Sequence, residues 1–156
     1  MAVYAHPDDA DVAAGGVLAQ WARDGCEVRL VVVCDGAKGS HVPLRDARSL
    51  RNARRQELQR AADLLGATSV TCLDQPDGGV VNSEALRETL VGLVRKYRPE
   101  VVLGPDPTAT FFGGVYVNHR DIARRVGPSW TPSPRRRRCP CTFPSVANHI
   151  RSDNCS

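Results

Sequence analysis

Apolar residues fall into short runs separated by longer stretches with helical spacing. Met1 to Tyr4 is a brief apolar run that ends at a His-Pro-Asp-Asp turn. Residues 13–24 have helical character, and Gly25 is placed to stop that helix in a left-handed conformation. The run 27–34 (EVRLVVVC) is rich in β-branched residues and nearly continuous in its apolar character, which suits a parallel strand covered on both faces. A long helix is expected from Asp46 to Leu65, because Leu50, Ala53, Leu58, Ala61, Ala62 and Leu65 repeat with a period near 3.6 and Gly66 follows. Ser69 to Leu73 reads as the next strand, Ser83 to Tyr97 as a helix opened by a capping serine, and Glu100 to Leu103 as a further strand.

Strands alternating with helices argue for an α/β fold: an open, mainly parallel sheet with helices on both faces. Right-handed crossovers would bring every strand's C-terminal end to one edge. His6-Pro7-Asp8-Asp9, Asp35-Gly36, the loop 74–79 and Pro105-Asp106-Pro107 would meet there.

Composition refines this picture in three ways. A chain of 156 residues has room for one domain with one core. No stretch approaches the roughly 20 apolar residues of a membrane span, and acidic residues arrive too early for a signal peptide. A cytoplasmic protein with no membrane partner is expected. The net charge of +4 is unevenly spread: residues 1–121 hold 14 Lys and Arg against 16 Asp and Glu, whereas residues 122–156 hold seven Arg against Asp153 alone. A body without positive excess is poorly suited to a phosphate backbone, so no nucleic-acid partner is expected. Cys26, Cys34 and Cys72 sit singly in apolar surroundings, and Cys139, Cys141 and Cys155 in the tail match no usual zinc spacing.

The chemistry is concentrated in residues 5–16, AHPDDADVAAGG. A proline-tightened turn can aim His6 and Asp9 at one centre, and both are good zinc ligands. Asp8 between them could take a proton from water. The same residues also suit an ordinary turn and helix N-cap, and a lone HxxD leaves the two readings open.

Three further motifs extend this one. Arg54-x-x-Glu57 continues to Ala61-Ala62 and Leu65-Gly66, Pro76-Asp77-Gly78 follows a strand, and Asn118-His119-Arg120-Asp121 comes last. Taken in this order, the motifs resemble the N-acetylglucosaminyl deacetylase family, also called PIG-L or LmbE-like, over residues 1–121. The resemblance implies a Rossmann-like fold and a zinc-dependent hydrolase that removes an acyl group, usually acetyl, from a small amino sugar or glycoconjugate. It implies His6 and Asp9 as zinc ligands and Asp8 as general base. Arg54 is implied near the substrate or oxyanion, His119 as stabiliser of the tetrahedral intermediate, and Asp121 as its orienting partner. A homo-oligomer is the one protein assembly envisaged.

The pattern breaks at the next residue. The family's second motif closes with a histidine that supplies the third ligand, and Ile122 stands there instead. After Asp121 the strand-helix rhythm also gives way to an Arg-, Pro- and Cys-rich stretch that includes Arg135 to Arg138. A reading-frame shift accounts for both changes: with suitable synonymous codons, restoring one base after the Asp121 codon yields histidine at position 122 and a helix-compatible continuation. The hypothesis is therefore an incomplete deacetylase-like domain at 1–121 and a disordered, out-of-frame tail at 122–156, with the C-terminal part of the fold missing. Sequencing the gene tests it, and finding no compensating indel that restores a longer homologous frame would sink it. The alternative to an active enzyme is a non-catalytic sugar-binding or vestigial fragment, inactive because Ile122 replaces a ligand.

Overall fold

The computed structural model describes residues 1–40, 46–106, 111–112, 116–117 and 119–123. Apart from Ile122 and Ala123, the expected tail lies outside the described residues. The elements in chain order are β1 (Ala2–Tyr4), α1 (Asp9–Arg23), β2 (Arg29–Cys34), α2 (Ala47–Leu65), β3 (Ser69–Gln75), α3 (Glu84–Tyr97), β4 (Phe111–Phe112), β5 (Tyr116–Val117) and α4 (Arg120–Ala123).

β1, β2 and β3 form a parallel sheet in that order, with Val3 opposite Val31 and Val31 opposite Thr71. The expected strand at 100–103 contracts to a single parallel bridge between Leu103 and Ala2. It still closes the other side of β1, since the Val3 amide donates to the Leu103 carbonyl (2.8 Å) and the Leu103 amide to that of Met1 (2.9 Å). β1 therefore lies inside the sheet. β4 and β5 pair antiparallel as a small separate hairpin, in a region where no strand is expected from the sequence.

Side chains of β2 alternate between two cores, as the pleat requires. Leu30 and Val32 join Ala2, Tyr4, Leu18 of α1 and Leu58 and Ala62 of α2 on one face. Val31 and Val33 join Val3, Ala5, Val80 and Leu86 and Leu90 of α3 on the other. Helices thus cover both faces, which explains why β2 tolerates no polar residue between Leu30 and Cys34. Among the described residues, no helix is long and apolar enough to cross a membrane.

The helix ends follow local chemistry. Asp46 caps α2 by accepting the Ser49 amide, Gly66 ends it at φ +71°, and Ser83 caps α3 by accepting the Leu86 amide. One boundary differs from expectation: α1 starts at Asp9 and not near residue 13. The turn itself nucleates the helix, because the Asp9 amide donates to the His6 carbonyl and the Val12 amide to that of Asp8. Gly15 falls inside α1, buried, where even an added Cβ would come 3.7 Å from Leu65 of α2. Close packing between α1 and α2 offsets the low helix propensity of glycine there.

Candidate active site

The parallel sheet delivers the loops after β1, β2 and β3 to one edge, and α4 arrives at the same place. His6 follows β1 directly. Its backbone amide donates to Asp9 Oδ2 (2.8 Å), and its ring Nδ1 lies 3.2 Å from the same oxygen. Asp9 thus fixes both the turn and the orientation of the ring. Gly36, at φ +68°, crosses over Pro7 so closely that a Cβ would stand 2.9 Å from Pro7 Cγ. Only glycine suits that crossing, and it keeps the His6 turn pressed against the end of β2.

The other ring nitrogen of His6, Nε2, is buried and has no hydrogen-bond partner. It points at two carboxylates, Asp121 Oδ2 at 3.5 Å and Asp77 Oδ1 at 3.6 Å. The His119 ring meets that of His6 edge-on, with centroids 4.4 Å apart. One donor atom from each of His6, Asp77, His119 and Asp121 lies within 4.8 Å of all the others. Two imidazoles and two carboxylates suit a divalent cation of the zinc type. Burial works against protonation of His6, but the hydrogen bond from Asp9 and the charges of Asp9, Asp77 and Asp121 outweigh it and raise its pKa above the ordinary value.

Asp121 is fully buried at the start of α4, and its carboxylate gathers the loop after β3. Oδ2 accepts the Gly78 amide (2.7 Å) and Oδ1 the Val80 amide (3.3 Å), while the Cys34 thiol donates to Oδ2 (3.5 Å). Burial, followed by the neighbouring Asp121 charge, pushes the Cys34 thiol far up, so it stays protonated. Asp35, also buried, holds the same loop from the β2 side. Its Oδ1 accepts the Asp77 and Ala37 amides, and Oδ2 pairs with Arg51 at 2.7 Å. Burial alone would raise the Asp35 pKa, but those amides and Arg51 bring it below the ordinary value.

Asp8 occupies the N-cap position of α1 without capping it through its side chain. Its Oδ2 instead takes Arg54 Nη2 at 2.8 Å, and Arg54 Nη1 reaches Glu57 at 3.1 Å. The two motif residues expected as base and oxyanion partner are thus joined to each other. Arg54 Nε is buried and lacks a partner. Arg55, one residue on, pairs with Asp74.

The sequence-derived candidates are therefore placed as follows. His6, His119 and Asp121 come together; Asp9 lies against the far side of the His6 ring; Asp8 and Arg54 form a pair beside the turn. Ile122 is partly buried and packs against the core beneath α3, among residues such as Val33, Val80 and Leu86. Asp77, Asp35, Arg51 and Cys34 were not expected at the site. Asp77 had a visible signal in its Pro-Asp-Gly turn after a strand. The other three become part of the site only through contacts distant in sequence.

Comparison with known proteins fits this geometry. The family model described as PIG-L, GlcNAc-PI de-N-acetylase, matches residues 1–127. A diacetylchitobiose deacetylase of Thermococcus kodakarensis is 29% identical over 120 residues, covering 77% of this chain and 44% of that protein. A 1D-myo-inositol 2-acetamido-2-deoxy-alpha-D-glucopyranoside deacetylase of Mycobacteroides abscessus is 30% identical, covering 73% of this chain and 48% of its own. Among solved structures, the N,N'-diacetylchitobiose deacetylase of Pyrococcus horikoshii aligns with a TM-score of 0.73 at 30% identity, covering 81% of this chain and 45% of that one. A 4-carboxy-2-hydroxymuconate hydratase of Pseudomonas putida aligns with a TM-score of 0.68 at 26% identity, covering 80% of this chain and 52% of that one. The chain spans about half the length of the relatives it matches.

Proposed function

The chain belongs to the PIG-L family, matched over residues 1–127, and on that premise we propose that it is a zinc-dependent hydrolase of the N-acetyl amide of a small amino sugar or its conjugate. The observation that carries this reading is the cluster of His6, Asp77, His119 and Asp121 at the sheet edge, with the unpartnered Nε2 of His6 aimed into it. The deacetylase relatives named above support the substrate class.

The residues fit a metal: the donors are nitrogen and oxygen, two of them are carboxylates, and one buried nitrogen lacks any other partner. His6 and Asp9, the pair to which the family resemblance points, would hold it together with donors from the cluster. Zinc, when bound, supplies polarisation of the amide carbonyl and a lowered water pKa.

The chain's own side chains do the rest. Asp8 takes a proton from the attacking water and passes it to the leaving amine, so that an acetyl amide and water become acetate and a free amine. Arg54 holds Asp8 in place through their 2.8 Å contact. His119, exposed toward the edge, donates to the developing oxyanion, an interaction worth roughly 3 kcal/mol in comparable sites. Asp121 fixes the start of α4 and so the place of His119.

Release of acetate from N-acetylglucosamine conjugates tests the reading. Turnover that requires zinc and is abolished by Asp8→Asn is expected; a zinc-loaded chain that turns over none of these amides contradicts it. A second reading, a non-catalytic sugar-binding or vestigial fragment, is favoured by one observation: the residue at position 122 is packed in the core. Sugar binding without acetate release would select it.

A further inference from the structure

Family resemblance assigns a metal ligand to position 122, where this chain has an isoleucine packed against Val33, Val80 and Leu86. A hydrocarbon side chain offers no lone pair, so any third protein ligand has to come from elsewhere on this edge. The cluster supplies two carboxylate candidates, Asp77 and Asp121.

Their surroundings separate them. Asp121 already serves two backbone amides, one on each oxygen, together with the Cys34 thiol. Asp77 gives Oδ2 to the Lys38 amide (3.1 Å) and turns Oδ1 toward His6 Nε2. The 3.6 Å between Asp77 Oδ1 and His6 Nε2 is too long for a hydrogen bond. It matches the edge of a zinc tetrahedron, about 3.4 Å for bonds of about 2.1 Å.

Charge leads to the same residue. Asp9, Asp77 and Asp121 surround one imidazole, while the nearby guanidinium groups are engaged elsewhere, Arg51 by Asp35 and Arg54 by Asp8. A divalent cation between His6 and Asp77 would balance this excess. Asp9, held on Nδ1, directs Nε2 at that point, an arrangement common behind metal-bound histidines.

We propose that Asp77 is a metal ligand in this chain, occupying through Oδ1 the coordination position that the family gives to residue 122. The proposal rests on the metal-dependent reading above, but its test reads metal affinity and not turnover. Zinc titrations on the full chain would compare the parent with Asp77→Asn and Asp9→Asn, using a chromophoric chelator as competitor. Asparagine preserves an acceptor for the Lys38 amide, and circular dichroism of the chelated proteins reports whether the fold survives. Asp77→Asn is expected to weaken zinc binding by more than about 10-fold, the lower end of what loss of a mere supporting partner costs. Affinity within twofold of the parent, or a parent that binds no zinc, would overturn the proposal.

Should Asp77→Asn fail to fold, Asp77→Glu keeps a carboxylate and decides the question. Zinc binding retained within about 10-fold by Glu is expected, and binding abolished in a folded Asp77→Glu chain counts against the assignment. If zinc binds through Asp77 but no acetate is released, the ligand assignment stands and the hydrolase reading alone fails.

Discussion

Asp35 and Asp121 are both buried, and both hold the loop that follows β3 by accepting its amides, Asp77 for one and Gly78 and Val80 for the other. They differ in how their charge is met. Asp35 has a guanidinium, Arg51, at 2.7 Å. Asp121 has a thiol, amides and two imidazoles, with His6 Nε2 at 3.5 Å and His119 Nδ1 at 3.8 Å. A buried carboxylate with its own arginine is a structural joint; one that faces only imidazoles and another carboxylate has charge left for a cation. The same loop is therefore anchored on one side by a closed ion pair and on the other by a cluster suited to a metal.

The strongest way to break this contrast is Asp121→Ala. It leaves the amides of Gly78 and Val80 without their acceptor and should destabilise the chain by about 3–5 kcal/mol, two charge-assisted hydrogen bonds' worth, in urea denaturation. A loss below about 1 kcal/mol would mean that Asp121 does not hold the loop. Zinc comes next. If the Asp121 side is the cation side, zinc at 100 times its Kd should stabilise the fold by about 2.7 kcal/mol, visible as a rise in melting temperature that a chelator reverses. An unchanged melting curve would erase the difference between the two aspartates.

Arg51→Met should cost less, about 1–2 kcal/mol, because the guanidinium is partly exposed and solvent screens the pair. The zinc-induced rise should survive this substitution. If it disappears with Arg51, the two sides of the loop are one unit and the contrast is wrong.

An exposed carboxylate sets the lower end of the scale. Asp46 lies below its ordinary pKa, first because of the Ser49 amide and then the Ser49 hydroxyl. Its contribution is present above the unfolded value of about 3.9 and is lost as pH falls through the lower folded value. Comparing Asp46→Ala with the parent between pH 2 and pH 6 by thermal melting should give curves that converge at the acid end. Curves that stay parallel would remove Asp46 as a titrating cap.

How much of this was legible in the sequence depends on the reach of each contact. The His6 turn is closed by Asp9 three residues later, α2 and α3 are capped by Asp46 and Ser83, and β2 is apolar because both its faces are covered. All of these follow from local pattern. Gly15 was misleading: glycine suggests a later helix start, yet it lies inside α1 because Leu65 of α2 packs over it. The bond from Gly78 to Asp121 spans 43 residues and that from Cys34 to Asp121 spans 87, and no local pattern announces either. Asp77 was visible only as part of a Pro-Asp-Gly turn, since its partner His6 lies at the other end of the sheet order. Strand 100–103 reads as regular from its apolar residues, but pairing with β1 alone leaves it a single bridge.

The most direct test of a metal centre at this edge is X-ray absorption at the zinc edge on the full chain loaded with one equivalent of zinc. The account predicts nitrogen and oxygen scatterers alone at about 2.0–2.2 Å, with the outer-shell signature of imidazole. A sulfur shell at about 2.3 Å would place the metal on cysteine and contradict it.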